Sequence, residues 1–234
     1  MMNFSIKRVN SIFIKDWKDL QKNNYILFTL AIPLVFAVWL GRIGAESAIY
    51  NTYPIILSLV LVGSLIQAAM VAEEKEKNTL RGLILSPAST TEIFLGKCAL
   101  SAILASIVII ASVFLSGYNV PSPPLFSVSV LLGLAFYLAI GTIIGLISRT
   151  VMDTSIIGVP VLLIFGISFK SLVENETALM IINYLPNEAL NTIWVDLNNG
   201  KGFSGIIENI LILLAWVVIS IVTTVIIYRK RRVD

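Results

Sequence analysis

The sequence has no histidine, one cysteine and few charged residues. Charged side chains make up 13% of the 234 residues and apolar ones 57%, with a mean hydropathy of +0.90. A soluble domain carries about 25% charged residues, so this composition predicts an integral membrane protein. Cys98 alone excludes an internal disulfide, and without histidine partners it predicts no metal site.

Two further absences bear on function. The sequence has no G-x-x-x-x-G-K-[ST] loop, whose backbone amides and lysine hold nucleotide phosphates, so the chain is not its own ATPase by that route. No charged residue lies at the centre of a long apolar run, which argues against an ion pathway and, with the lack of histidine, against a proton-driven carrier. We expect neither catalytic residues nor a cofactor in the chain itself.

Six apolar runs are each close to the length of about 20 residues that crosses a bilayer as a helix. No run alternates between apolar and polar residues as the strands of a membrane barrel do. We therefore predict one all-α membrane domain over residues 1–234, with six transmembrane helices and both termini on the same side. The runs are residues 25–41, 52–72, 98–116, 127–147, 156–173 and 206–228.

Basic residues are concentrated on the side that would carry the termini. Of the 17 lysines and arginines, all but Arg42, Lys170 and Lys201 fall there. Short cytoplasmic loops retain basic residues, so both termini are predicted to be cytoplasmic. The net charge of +3 is then a signal of topology, and we expect no nucleic-acid partner.

Residues 1–24 are too charged to form a span. Their apolar residues recur every three or four positions while the basic ones fall mostly elsewhere, which is typical of an amphipathic helix. We predict a helix that lies in the inner membrane interface and contacts lipid through Phe13, Trp17 and Leu20. A simple positively charged anchor is the alternative.

Residues 174–205, between the last two runs, hold two apolar stretches that are too short to cross and are separated by Pro186. We expect an outer segment of short interfacial or re-entrant helices there. In the fourth run, Gly141 and Gly145 form a G-x-x-x-G pair that permits close helix packing. Ordinary packing within the chain and a dimer seam both explain that pair.

The stretch EEKEKNTLRGLILSP, residues 73–87, interrupts the apolar sequence. Its glutamates suit the first turn of a helix, since they complement the positive end of the helix dipole. Leu80 and Leu83 follow at helical spacing, and Pro87 ends the helix. The pattern predicts a short amphipathic helix, whereas a solvated loop is the alternative.

A second helix is expected to follow this insert. Ser89 and Glu92 match S-x-x-E, the capping box that begins a helix. The whole insert is about 25 residues long, whereas helices in a bundle are joined by about 2–8 residues. Its length indicates that another component docks on it.

The run EEKEKNTLRGLILSPASTTEIFLGK, residues 73–97, resembles the hallmark of type-2 ATP-binding-cassette (ABC) exporter permeases. That hallmark is an E-x-E-x-x-T-L pattern after the second span, then Ser-Pro, then a helix ending in Gly-Lys. Asn78 stands where glycine is common, and Arg81 and Gly82 stand where an acidic, longer residue is common. The matching residues are Glu74, Glu76, Thr79, Leu80, Ser86, Pro87, Gly96 and Lys97.

The resemblance implies a permease subunit of an ABC exporter, in which residues 73–87 form a coupling helix that contacts a separate cytosolic ATPase. It implies that the N-terminal helix connects to the same partner, that the partner binds ATP and Mg, and that a second permease copy, identical or similar, completes the path. The residues expected at the ATPase contact are Glu73, Glu74, Glu76, Lys77, Thr79, Leu80, Leu83, Ser86 and Pro87.

The cargo is constrained only by the apolar and hydroxyl-bearing spans. They favour an amphipathic or hydrophobic molecule such as a peptide, a drug or a lipid-like compound over a bare ion. We expect export across a bacterial cell membrane. Two other classes stay open, namely a channel or carrier that needs no ATPase and a non-transporting membrane protein such as an immunity or assembly factor.

Overall fold

The computed structural model describes residues 5–21, 23–43, 48–77, 89–170 and 173–231, and within those ranges every regular element is a helix. The all-α prediction is confirmed. The elements are α1 (Ile6–Leu20), α2 (Asn24–Ile43), α3 (Ala48–Leu57), a π-helix (Ser58–Ile66), α4 (Gln67–Glu76), α5 (Thr90–Ser116), α6 (Pro123–Ile147), α7 (Val151–Gly166), α8 (Glu176–Asn183), α9 (Pro186–Asn198) and α10 (Phe203–Arg231).

Five helices in the described part of the chain are long and apolar enough to cross a membrane. One of them is built from α3, the π-helix and α4 in direct succession, and the others belong to α2, α5, α6 and α10. They correspond to five of the six predicted runs and make this a multi-pass membrane protein. Their bounds are Ile26–Ile43, Tyr50–Glu76, Leu95–Ser116, Pro123–Ile147 and Phe203–Arg229.

The remaining apolar run folds differently from its predicted bounds. Helix α7 covers residues 151–166 rather than 156–173. It begins early because Thr150 and Asp153 form a capping box, and it ends where Ile167 adopts an extended conformation. Its 16 residues reach about 24 Å, less than the roughly 30 Å of hydrocarbon in a bilayer. A sixth full crossing therefore stays a prediction.

The second span is the centre of the bundle, with 89% of its apolar window buried inside the protein. Helix α6 packs directly on its backbone. A Cβ atom added at Gly141 would lie 2.3 Å from the carbonyl oxygen of Ser64, and one added at Gly145 would lie 2.6 Å from that of Ala68. The close packing predicted from the glycine pair is confirmed, and the pair is used within the chain.

One end of the bundle gathers the charged segments. Tyr228, near the end of α10, packs against Val71 of α4 and Leu146 of α6. Helix α1 packs there too, against the beginning of α5. We call this the charged end, because it carries Glu73–Lys77, and we call the other the opposite end. Which end faces the cytoplasm stays a prediction.

Helices α8 and α9 occupy the segment predicted to be re-entrant, and Pro186 is the first residue of α9. Helix α9 is buried against α3, α6 and α10, and the Trp194 indole Nε1 donates to Ser129 Oγ at 2.9 Å. Just before α9, the Tyr184 carbonyl accepts a hydrogen bond from Trp216 Nε1 at 2.7 Å. Because Trp216 lies near the middle of α10, Tyr184 lies about halfway between the two ends of the bundle.

Candidate functional site at the charged end

Glu73–Lys77 are the described part of the predicted coupling segment. The prediction that the glutamates begin a new helix is wrong, because the second span continues through Glu76 and these residues form the last turn of α4 and the residue after it. A helix turns by about 100° per residue, so consecutive side chains point in different directions. Glu73 pairs with Lys77 at 2.5 Å on the exposed side of that turn. The three side chains between them each contact a different part of the bundle.

Glu74 belongs to a buried network of charges that joins three helices. Lys97 Nζ of α5 lies 2.8 Å from Glu74 Oε1 of α4 and 3.1 Å from Asp16 Oδ1 of α1. These residues are 5%, 4% and 4% exposed, respectively. We call them the ion-pair triad. Lys15 also pairs with Glu74 from the more exposed side of α1.

The electrostatics of the triad follow from burial and from opposite charge. Burial raises the pKa of Asp16, and the adjacent Lys97 ammonium opposes that rise. A buried carboxylate is costly unless it is paired and hydrogen-bonded. Lys97 donates to both carboxylate oxygens of Asp16, at 3.1 and 3.3 Å, so the triad supplies both conditions.

Glu92 makes a second link between α1 and α5. The predicted capping box is confirmed, since Ser89 Oγ accepts from the Glu92 backbone N–H and Glu92 accepts from that of Ser89. Glu92 also accepts a hydrogen bond from the Ser5 backbone N–H and lies 3.3 Å from Arg8. Hydrogen bonds from the backbones of Ser89 and Ser5 hold the pKa of Glu92 at about 2, so this carboxylate stays ionised.

Lys75 and Glu76 hold the ends of two further helices. Lys75 Nζ donates to the Leu146 carbonyl at 2.7 Å and to that of Ser148, which satisfies free carbonyls at the end of α6. Glu76 Oε2 accepts from the Val151 backbone N–H at 3.0 Å, at the positive end of α7. The last turn of α4 therefore contacts the ends of α1, α5, α6 and α7.

Residues 78–88 lie outside the described residues, whereas the chain on both sides of them is described. Glu74 precedes this segment and Glu92 and Lys97 follow it, and all three contact α1. Both flanks of the segment are thus held against the same helix. Beside these flanks, α1 and α4 enclose a cleft of about 230 Å³ whose charged lining residues are Lys15, Asp16, Asp19, Glu73, Glu74 and Lys77.

The structure brings together the four predicted ATPase-contact residues that it describes, Glu73, Glu74, Glu76 and Lys77. Glu74 faces the interior, whereas Lys77 is exposed. Whether any of them contacts an ATPase stays a prediction. The other five predicted contact residues, Thr79, Leu80, Leu83, Ser86 and Pro87, lie outside the described residues.

Helix α1 forms as predicted, but its packing face differs in detail. Leu20 is buried and Phe13 packs half-buried against the core, whereas Trp17 is 42% exposed. The buried face also contains Ile12, which packs against Gly96 of α5, and the charged Asp16. The helix is therefore docked on the bundle, and its contact with lipid stays a prediction.

Sequence reasoning missed the pairing of Asp16 with Lys97, which are 81 residues apart. One signal was available, since Asp16 stands four residues after Ile12 and four before Leu20 on one helix face. It also missed Gln67, which accepts from Ser101 at 2.8 Å and donates to Thr142 at 3.1 Å. That buried network joins α4, α5 and α6 at a position farther from the charged end than the triad.

Within the described ranges, no group of three or more histidine, cysteine, aspartate or glutamate side chains could hold a metal ion.

No curated protein matches the chain with significant similarity. A family described as ABC-2 family transporter protein matches residues 44–226. The match covers well over half of the chain and includes the insert after the second span. The chain therefore belongs to the ABC-2 transporter family.

Proposed function

We propose that this chain is the permease subunit of an ATP-driven exporter, forming the translocation path and coupling to a separate ATPase through residues 73–97. The family is a membrane component of ABC transporters and not a nucleotide-binding domain. The observation that carries the proposal is the ion-pair triad, which ties α1, α4 and α5 together at the base of the insert.

The contacts of the charged end suggest how force would pass into the spans. A push on residues 78–88 acts on Glu74 and Lys97, and through them on α1. Lys75 and Glu76 pass the same displacement to α6 and α7. Breaking one partner of a buried ion pair leaves an uncompensated charge, so these elements would move together. The coupling segment thus carries force and performs no chemistry.

In this proposal the charged end is cytoplasmic, because it carries most of the basic residues. Helix α7 rises from the charged end and stops in the interior, and α9 continues from the interior towards the opposite end. The two together would form a discontinuous fifth crossing, and α10 the sixth. Non-helical backbone at membrane depth needs partners within the protein for its polar groups, and Glu188 and Asn187 bond the Phe169 N–H and the Ile167 carbonyl just after α7.

A second permease copy would complete the path. The apolar windows of α2 and α10 are each only 28% buried. Helix α7 leaves Met152 81% and Ile156 72% exposed. These faces must be covered by lipid or by another copy, and a path between two copies would suit an amphipathic or hydrophobic cargo such as a peptide, drug or lipid-like molecule.

The test is co-purification of the permease with its ATPase from membranes. We expect Leu80→Asp combined with Leu83→Asp to reduce the recovered ATPase at least tenfold, because charge on the apolar face of the insert opposes docking. The amount of permease in the membrane should be unchanged. Asn199→Asp, at an exposed position of the opposite end, is the control and should retain the ATPase.

Three outcomes would contradict the proposal. Full recovery of the ATPase with the double variant would show that the insert does not couple. Transport by the purified chain without any ATPase would favour a self-sufficient channel or carrier. A chain that neither transports nor retains an ATPase would be an immunity or assembly factor.

A further inference from the structure

The junction between α7 and α9 contains buried polar groups that the coupling proposal does not use. After α7 ends at Gly166, the backbone of residues 167–169 is non-helical. The first turn of α9 packs against it. The Phe165 carbonyl accepts a hydrogen bond from the Tyr137 hydroxyl. Tyr184, which stands two residues before α9, accepts a hydrogen bond from Trp216 near the middle of α10. The junction therefore lies about halfway between the two ends of the bundle.

Glu188 places a carboxylate in this junction. Glu188 is only 1% exposed to solvent. Its Oε1 accepts from the Phe169 backbone N–H at 2.9 Å, and its Oε2 accepts from Ser168 Oγ at 3.0 Å. Glu188 also stands in the first turn of α9, near the positive end of the helix dipole. Both oxygens of the carboxylate are therefore held against residues 168 and 169.

Asn187 adds an unused acceptor at the same place. The residue is 0% exposed, and its Nδ2 donates to the Ile167 carbonyl at 2.7 Å. Its Oδ1 belongs to the same amide group and therefore lies in the junction. That oxygen is buried and has no hydrogen-bond partner among the described residues. A buried acceptor without a partner is unfavourable.

Glu188 has no cationic partner within the part of the chain that the structure describes. Among the described residues, no lysine or arginine lies within ion-pair distance of its carboxylate. Lys170 follows Phe169 directly in the chain, but its side chain is exposed and makes no such pair. A carboxylate at this depth is costly to bury and calls for a partner.

We propose that Glu188 and Asn187 hold a monovalent metal cation, Na⁺ or K⁺, at the junction of the two half-helices. The ligands would be the Glu188 carboxylate, Asn187 Oδ1 and carbonyls of the unwound backbone. Discontinuous membrane helices offer such carbonyls to cations. A single carboxylate matches one positive charge, whereas Ca²⁺ takes six to eight oxygens and usually several carboxylates. The proposal is independent of ATPase coupling.

The experiment is thermal unfolding of the purified full-length chain in lipid nanodiscs, followed by tryptophan fluorescence, since Trp194 and Trp216 lie near the junction. The chloride salts of Na⁺, K⁺ and N-methyl-D-glucamine are compared at constant ionic strength and pH 7. We expect Na⁺ or K⁺ to raise Tm saturably, by about 2 to 4 °C. Glu188→Gln should abolish this rise. Glu208→Gln, which alters an exposed carboxylate of α10, should retain it.

Three results would overturn the proposal. The first is an identical Tm of the unaltered chain in all three salts, which decides the matter even if Glu188→Gln does not fold. The second is an equal rise in Glu188→Gln, which would place the cation elsewhere. The third, from repeating the salt comparison at a lower pH, is a Tm that responds to pH but not to the metal ion, which would make a proton the occupant.

Discussion

Lys97 carries a charge in a position that is almost closed to water, and two carboxylates from other helices surround it. Each carboxylate would be costly to bury alone. The same logic applies to Glu92, whose ionised form is held by backbone N–H groups of two separate segments. Single polar residues at the charged end therefore decide how α1 is attached.

Lys97→Met should destabilise the chain strongly. The substitution keeps an unbranched side chain only one atom shorter than that of lysine but leaves Asp16 and Glu74 buried without their shared cation. Removing one partner of a buried ion pair costs about 3–5 kcal/mol. The check is denaturant or thermal unfolding in detergent. Lys77→Met removes the more exposed pair with Glu73 and should cost at most about 1 kcal/mol. Equal effects of the two variants would contradict this role of the triad.

Glu92→Gln should change the pH dependence of stability. The folded-state pKa of Glu92, about 2, lies below its ordinary value of 4.5. The ionised carboxylate therefore stabilises the fold above pH 4.5, and that contribution is lost as the pH falls towards 2. The Tm difference between the unaltered chain and the variant should be largest near pH 7 and should shrink below pH 4.5. Asp16, whose pKa is raised, is present in both the unaltered chain and the variant, so its contribution cancels in the Tm difference. A difference that is constant with pH would refute the assignment.

At the scale of elements, the segment before the last span is the one that departs most from a simple bundle. Helix α8 has no buried residues, whereas nearly all of α9 is buried. The difference arises because α9 packs its apolar residues against three helices and satisfies its indole N–H on Ser129. Helix α9 is thus part of the core, although its sequence is no more apolar than that of α8.

Trp194→Phe should loosen α9, because it removes the hydrogen bond to Ser129 and leaves that hydroxyl without its donor. We expect a loss of about 1 kcal/mol from the hydrogen bond, in addition to lost packing. A double-mutant cycle with Ser129→Ala isolates the pairwise term. Unfolding of the four variants measures it, and a coupling energy near zero would show that the bond does not hold α9.

At the scale of the whole molecule, we expect the distribution of charge between the two ends to orient the chain in the membrane. Helix α1, the end of α4 and the end of α10 lie at the charged end with their basic residues. Short loops rich in lysine and arginine stay in the cytoplasm. The bundle should therefore insert with the charged end inside.

Labelling of single cysteines tests this orientation. In a Cys98→Ser background, Arg149→Cys lies at the charged end and Asn199→Cys at the opposite end, both at exposed positions. A membrane-impermeant maleimide should label only the Asn199→Cys variant in intact cells and should label both after the membrane is opened. Labelling of only the Arg149→Cys variant in intact cells would reverse the topology.

Local features were predictable from the sequence. The capping box of Ser89 and Glu92 and the division of the re-entrant segment at Pro186 depend on residues close together in the chain. The glycine pair of α6 also indicated a close approach, although not that its partner is the second span. The shortening of α7 was not predicted, since the apolar run continues past the point at which the helix ends.

The sequence by itself determined the membrane class, the all-α fold, the places of five of the six predicted spans and the excess of basic residues in one set of loops. These follow from composition and from periodicity over short stretches, which a chain displays before it folds. Only the tertiary structure decided that Asp16 and Glu74 share Lys97, that the second span is central and that Glu188 is buried where the start of α9 meets the end of α7. Such facts depend on which faces meet across long separations in the chain, and packing selects those faces.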